Sequence, residues 1–449
     1  MVKMPPVSVM VKPVSIFFRR SARWAGRVVA VCGLIALPGV PPAFADDVAG
    51  TSDRRISLDE AVVLLRARSR DLTLARRAVE AADADIVAAR ARPNPVLSLS
   101  AASIRPFSPG GGAVWNKPVD AIAQLSQLIE RGNKRELRGE VSRFVADAAR
   151  ADVADVERQQ VFAVRTAYFD LLQSQERVAA ADETLTALSR TVAAAELRLK
   201  AGDISPADLA RIQVDALRAQ NERRIAVAER DRTRGALAYL TGLEAEQGSL
   251  VAADVWPAVP PLPELNAGEA VVDRRADIRA ARLRSDAAEK ARGLAQALRT
   301  RDVTVAAQVE RFPGQDQNNS VGFGVSVPLF LNYTYDGEIR RAEANALASR
   351  DLLDRSRAVA VNEARRAWSD LAAARDRVLR FDGSLLREAT RAADAAEFAY
   401  RNGALGVIDL LDARRVLYAT RVESVAAHAD LARAIAAWNA VTQPLESTK

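Results

Sequence analysis

Sulfur is nearly absent from this 449-residue chain. Cys32 is the only cysteine, and the three methionines, Met1, Met4 and Met10, also lie near the N-terminus. Beyond residue 45 no disulfide framework and no thiolate or thioether ligand set can exist. Histidine is equally scarce. His428 is the single copy, which excludes a centre built from several imidazoles, and its Ala-rich helical surroundings make it an ordinary helix-face residue. No nucleophile–base pair stands out either, because most carboxylates alternate with Arg on helix faces as solvated i,i+4 partners. The composition points to no enzyme, no resident metal and no cofactor.

Long apolar runs are also missing, apart from one short stretch. Lys3, Lys12, Arg19, Arg20, Arg23 and Arg27 flank or precede Val28 to Val40, and Ala43-Phe44-Ala45 fits the small-x-small cleavage rule. Residues 1–45 are therefore expected to be a signal peptide, with the mature chain starting at Asp46. A membrane anchor fits less well, since the run contains Pro38 and falls short of the roughly 20 residues a span needs. Val29-Ala-Val31 before Cys32 makes a poor lipoprotein box. The chain holds 64 basic and 57 acidic residues, but six of the basic and none of the acidic precede Asp46, leaving 58 against 57. The high isoelectric point thus belongs mostly to the leader and gives no argument for nucleic acid.

What the mature chain does contain, it contains twice. Arg92-Pro-Asn-Pro-Val-Leu-Ser-Leu99 follows a long Ala/Arg/Glu helix and reads as a strand, as does Thr300-Arg-Asp-Val-Thr-Val305 in the second half. Ala201-Gly-Asp-Ile-Ser-Pro-Ala-Asp-Leu209 is answered by Asn402-Gly-Ala-Leu-Gly-Val-Ile-Asp-Leu410. Each half reads helix, two strands, a very long helix, a tight break and another helix, which suggests an object assembled from equivalent units. The first repeat covers 46–250, with a hairpin over 94–130, a long helix over 133–200 and a helix over 206–242. A Pro-rich linker at 251–266 leads to the second repeat, 267–449, with a hairpin over 301–331, a long helix over 335–401 and a helix over 406–441.

Val161, Val164, Tyr168, Leu171, Gln175, Val178, Leu185, Val192 and Leu199 recur at three- and four-residue spacing, interrupted by Asp182, Ser189 and Glu196. This is a heptad-like seam, and at 1.5 Å per residue its helix runs on the order of 100 Å. Such helices project out of a globule. The strands show dyad alternation instead: Val303, Val305, Ala307 and Val309 oppose Thr304, Ala306, Gln308 and Glu310, and in Val321 to Val327 Val and Phe oppose Gly and Ser. Phe107, Trp115, Phe312, Phe330, Tyr333 and Tyr335 cluster at the strand ends. Alternation, a length of about ten residues and flanking aromatics match transmembrane barrel strands, although alternation alone fits a soluble sheet equally well. The export signal favours the membrane. Four strands cannot close a barrel, and open edges are not tolerated in lipid, so several chains must share one barrel.

The chain resembles the outer-membrane efflux family, the TolC-like proteins, from about Ile56 to Val441. The resemblance is carried by Leu58-Asp-Glu-Ala61, Ala91-Arg-Pro-Asn-Pro95 and Leu125-Ser-Gln-Leu-Ile-Glu-Arg-Gly-Asn-Lys-Arg135. Further along it rests on Val327-Pro-Leu-Phe330 with Gly337-Glu-Ile339, and on Gly403 with Asp409-Leu-Leu-Asp-Ala413. It implies a mainly α protein with a β-barrel part: a duplicated protomer in a homotrimer, with four strands per chain in a twelve-stranded outer-membrane barrel above a periplasmic helical tunnel. The Pro-Leu-Phe stretch is most similar to the branch that serves heavy-metal pumps of the resistance-nodulation-division (RND) type. The implied partners are a periplasmic adaptor (a membrane fusion protein), an inner-membrane RND pump and outer-membrane lipid, with no nucleic acid. The implied function is passive conduction of divalent heavy-metal cations. Multidrug or type I protein export shares the same fold, and a periplasmic coiled-coil adaptor is a more distant alternative.

The resemblance also carries over residues of the closed periplasmic aperture. Tyr400 matches a tyrosine that helps hold the tip, and Asp208 an aspartate of the first-repeat tip. Asp409 and Asp412 match aspartates that ring the lumen, and their i,i+3 spacing puts them on one helix face. Pairing with Arg414 and Arg415 is the other reading of these two. Gly202 and Gly403 are turn glycines and, by the resemblance, adaptor-docking positions. The arginine expected two residues beyond the tip glycine is Leu405, so an arginine latch does not carry over.

Overall fold

The computed structural model describes residues 53–102, 120–312 and 318–442. The expected leader, Phe107 and Trp115 lie outside them. The first half runs through β1 (Arg54–Ile56), α1 (Leu58–Arg68), α2 (Arg70–Arg90), β2 (Val96–Ala102), β3 (Asp120–Ile129), α3 (Lys134–Ala201) and α4 (Pro206–Thr241). After β4 (Leu250–Ala252) and the short α5 (Leu265–Glu269) comes α6 (Ala276–Ala297), followed by β5 (Val303–Phe312) and β6 (Asn318–Ser326). α7 (Asp336–Arg380), a π-helical turn at Phe381–Leu385, α8 (Leu386–Arg401) and α9 (Val407–Thr442) complete the second half. Both long helices start behind a non-glycine residue in the left-handed region, Asn133 (φ 56°) and Tyr335 (φ 64°), so the duplication extends to backbone detail.

α3 is 68 residues long because nothing in it breaks a helix. Val161, Val164, Tyr168, Leu171 and Val178 are buried as the seam requires. Past residue 180 the buried line moves to Ala181, Leu188, Thr191 and Ala195, and the expected Leu185, Val192 and Leu199 are only half-buried. An ideal helix drifts against a seven-residue repeat, and α3 follows the drift.

The tip turns are built alike in both halves. Gly202 (φ 82°) and Gly403 (φ 70°) end their helices in the left-handed region that only glycine enters without cost. Asp203 N donates to Arg198 O at 2.9 Å and Ala404 N to Ala399 O at 2.8 Å, which satisfies carbonyls otherwise orphaned at a helix end. Ser205 then caps α4, its hydroxyl accepting from Asp208 N at 3.1 Å, with Pro206 in the first turn.

A feature absent from the sequence reading is a parallel pair, Arg54–Ile56 against Leu250–Ala252, so the linker's first two residues belong to a sheet. Tyr168 fastens this pair to α3. Its buried hydroxyl lies 3.1 Å from Ile56 O and 2.9 Å from Asp254 Oδ2, and accepts from the amides of Ala253 (3.1 Å) and Asp254 (3.0 Å). Burial pushes the phenol's pKa well up. Tyr168→Phe strands the Asp254 amide, while Ala253 N keeps Ile56 O at 3.0 Å, and is expected to cost about 1–3 kcal/mol, read as a lower midpoint in thermal unfolding of the helical signal. The rest of the linker lies along the helices: Trp368 Nε1 donates to Pro263 O at 2.8 Å and Arg375 Nε to Pro260 O at 3.2 Å.

The second sheet has four antiparallel strands in the order β2-β3-β5-β6. Its register aligns Leu97, Leu125, Ala307 and Phe323 in one row and Leu99, Ala123, Val309 and Val321 in another on the same face. The opposite face carries Ser98, Gln124, Gln308 and Gly322, then Ser100, Ile122, Glu310 and Ser320. The apolar face is bare: Leu99 is 75% exposed and Phe323 86%. Among the described residues nothing pairs the outer edges of β2 and β6.

Beneath the sheet, Lys134 is buried at 6% exposure. Its Nζ donates to Thr300 O at 2.7 Å and Asp302 Oδ1 at 2.9 Å, tying the first long helix to the second hairpin. Tyr335 packs edge-on to Phe330 at 5.2 Å and beside Tyr333 at 5.9 Å, while Arg301 lies over Phe330 at 5.5 Å.

Candidate functional site

Four helix ends meet at the tips. Leu188 and Ala195 of α3, Ile212 and Ala219 of α4, Ala396 and Tyr400 of α8, and Val407, Leu410 and Leu411 of α9 form one apolar cluster. The small Ala residues let the helices approach closely. This cluster fixes where each candidate aperture residue points.

Tyr400 is buried at 8% exposure, under the Arg198 guanidinium 5.1 Å above its ring, and its hydroxyl has no hydrogen-bond partner among the described residues. Asp208 lines one recess together with Tyr400 but does not reach its hydroxyl. The Asp208 carboxylate accepts from the Ser205 hydroxyl at 2.8 Å and from Arg211 Nη1 at 3.3 Å, so within this chain it serves the start of α4. Leu405 lines the recess with Arg198, Gly202 and Tyr400 and adds a half-buried apolar side chain to the cluster.

Asp409 and Asp412 are both exposed, one turn apart at the start of α9, where the helix dipole favours a carboxylate. Neither makes an ion pair among the described residues. The arginines offered as their partners are engaged elsewhere: Arg414 Nη2 donates to Glu397 at 3.1 Å, and Arg415 Nη2 to both oxygens of Asp215 at 2.6 and 2.9 Å. A cβ built on Gly202 or on Gly403 would meet no atom within 4 Å, so both turns present open backbone.

Asp215 is the residue that the sequence reading overlooked. It is buried on α4 and, through Arg415, joins the first hairpin to the second. A cavity of about 260 Å³ lies beside this pair, lined by Leu188, Ala219, Leu411 and Tyr418, whose phenol burial pushes up in pKa. The signal was present: Ile212, Asp215 and Ala219 fall at seam spacing, so a carboxylate occupies an apolar position. His428 also departs from expectation. It is not a plain helix-face residue, for its Nε2 lies 3.1 Å from Asp382 Oδ1 and its ring stacks on Trp256 at 6.1 Å.

No cluster of three or more His, Cys, Asp or Glu able to hold a metal occurs among the described residues. No described helix is long and apolar enough to cross a membrane, which says nothing of a barrel. The sheet's two chemically opposite faces and the carboxylate-bearing tips are what a conduit requires.

Comparison with known proteins agrees with this geometry. The family model for outer membrane efflux proteins matches residues 61–243 and again 268–442, once in each half. The cobalt-zinc-cadmium resistance protein CzcC of Cupriavidus metallidurans is 26% identical over 392 residues, covering 85% of this chain and 87% of CzcC. Among solved structures, CusC aligns with a TM-score of 0.72 at 18% identity, covering 90% of this chain and 96% of its own. The Campylobacter jejuni outer membrane channel CmeC aligns at 0.73 and 17%, covering 87% of each chain. At these identities the structural likenesses establish the fold.

Proposed function

We propose, since the chain belongs to the outer membrane efflux protein family, that it is the exit duct of a tripartite pump for divalent heavy-metal cations. An efflux channel of the TolC type is the family's function, and the cargo is the finer reading. The observation that carries the duct is the four-stranded sheet with one bare apolar face, one polar face and two edges unpaired among the described residues. Such edges are costly in lipid unless closed. Three copies supply twelve strands, with the polar faces lining the lumen and the helical hairpins extending it into the periplasm. Energy then comes from an inner-membrane pump of the RND type, reached through a periplasmic adaptor at the tips. The likeness to CzcC, named for cobalt, zinc and cadmium resistance, supports the metal cargo.

In such a trimer Asp409 and Asp412, free of arginine partners, place six carboxylates around the narrow end. A ring of this sign favours cations. Replacing both with Asn is expected to lower the cation-to-anion permeability ratio of the reconstituted duct several-fold, read from the reversal potential in a salt gradient. An unchanged ratio would place these residues outside the lumen.

The cargo is tested by deleting the gene and comparing the strain with its complemented parent. Selective sensitivity to cobalt, zinc or cadmium supports the metal reading. Sensitivity to hydrophobic drugs alone would keep the duct and assign it to a multidrug pump.

A further inference from the structure

The second long helix is not uniform. After 45 residues of α7 it passes through the π-helical turn Phe381–Leu385 before continuing as α8. A π turn inserts an extra residue and recurs where helices bend or carry function. Its position coincides with a change in support. Up to this point α7 is held by α9, whose Ala427 and Leu431 share one cluster with Leu371 and Val378, and also by the linker, through the Arg375 and Trp368 hydrogen bonds and through Val259 against that cluster. Beyond it, α8 is held by α9 and the tip cluster.

One polar side-chain contact joins the turn to α9 among the described residues: Asp382 with His428, the only histidine of the chain. The imidazole lies nearly parallel to Trp256 (21°), which itself stacks on Phe169 of α3 at 6.3 Å. The surrounding recess adds Glu176 and Glu183 from α3 and Arg421 from α9, the last already bound to Glu183. The linker contributes no charged group to that recess. Three carboxylates and one committed guanidinium therefore face the imidazole.

We infer that this turn is a hinge for the tip-ward part of the second hairpin, and that His428 clamps it in a pH-dependent way. Histidine is the side chain that ordinarily changes charge between pH 5 and 8. When protonated, His428 makes a charge-assisted bond to Asp382 and presents a cation to the Trp256 ring, and both interactions strengthen the clamp. When neutral it retains one ordinary hydrogen bond, and α8 moves more freely about the turn. The inference goes beyond the cargo and holds whichever solute passes.

The test uses the full-length protein in lipid, with a nitroxide on Ala395→Cys of α8 in a Cys32→Ala background, since Cys32 is the one native cysteine. The label is expected to become more mobile as pH rises from 5 to 8, and this response is expected to vanish in His428→Gln. Asp382→Asn, at an exposed position, keeps a hydrogen-bond partner but removes the charge, and is expected to lose most of the response while assembling normally. It carries the test if His428→Gln fails to assemble. A label insensitive to pH in the parent protein would overturn the inference, as would an undiminished response in the variants.

Discussion

Phe323→Arg is expected to eliminate folded protein from the outer membrane, whereas Gln124→Arg, on the other face of the same sheet, leaves its level unchanged. The two side chains are separated by the pleat. Phe323 aligns with Ala307, Leu125 and Leu97 on the apolar face, and Gln124 with Ser98, Gln308 and Gly322 on the polar one. A lipid-facing arginine near the bilayer midplane costs about 2–4 kcal/mol. In the proposed trimer, three symmetry-related copies would multiply that cost to roughly the whole stability of a domain. An arginine in a wet lumen remains hydrated and alters conductance instead. Membrane fractionation of the two variants reads the difference directly, and equal levels would remove the lipid-facing assignment.

Lys134→Met ranks second. It leaves Asp302 with the Arg131 amide, 2.9 Å away, as its remaining close donor, and frees Thr300 O. The cost is expected to fall somewhat below the roughly 3–5 kcal/mol of a fully buried pair, because the Asp302 side chain, 24% exposed, keeps part of its hydration. The damage should concentrate at the junction between sheet and tunnel, where Arg138 also grips Glu130 through two hydrogen bonds. Protease cleavage near residues 130–135 and a lower unfolding midpoint are the expected readouts. Lys134→Met combined with Asp302→Asn is expected to recover part of the loss, since no lone charge is left.

Much of this was legible in the sequence because the periodicities are long. The dyad pattern of Val303 to Val309 spans enough residues to identify both the strand and its apolar face, and the seam from Val161 to Val178 does the same for α3. Short pairings are different. Arg54–Ile56 and Leu250–Ala252 are three residues each, too few to show alternation, and their partnership depends on Tyr168 far from both. The π turn leaves little trace, since Phe381-Asp-Gly-Ser-Leu385 keeps the helical pattern on either side. Asp208 illustrates a further limit. Its match to an aperture residue and its service to Ser205 and Arg211 come from the same carboxylate, and only coordinates reveal the second. The i,i+3 spacing of Asp409 and Asp412 was plain, but what they face depends on neighbouring chains.

The duct depends on those neighbouring chains, for one four-stranded sheet cannot close a pore. Native mass spectrometry of the protein extracted from the outer membrane in detergent tests this most directly. A trimer gives one species with the mass of three chains, resistant to dilution. A monomer that still conducts ions after reconstitution would contradict it.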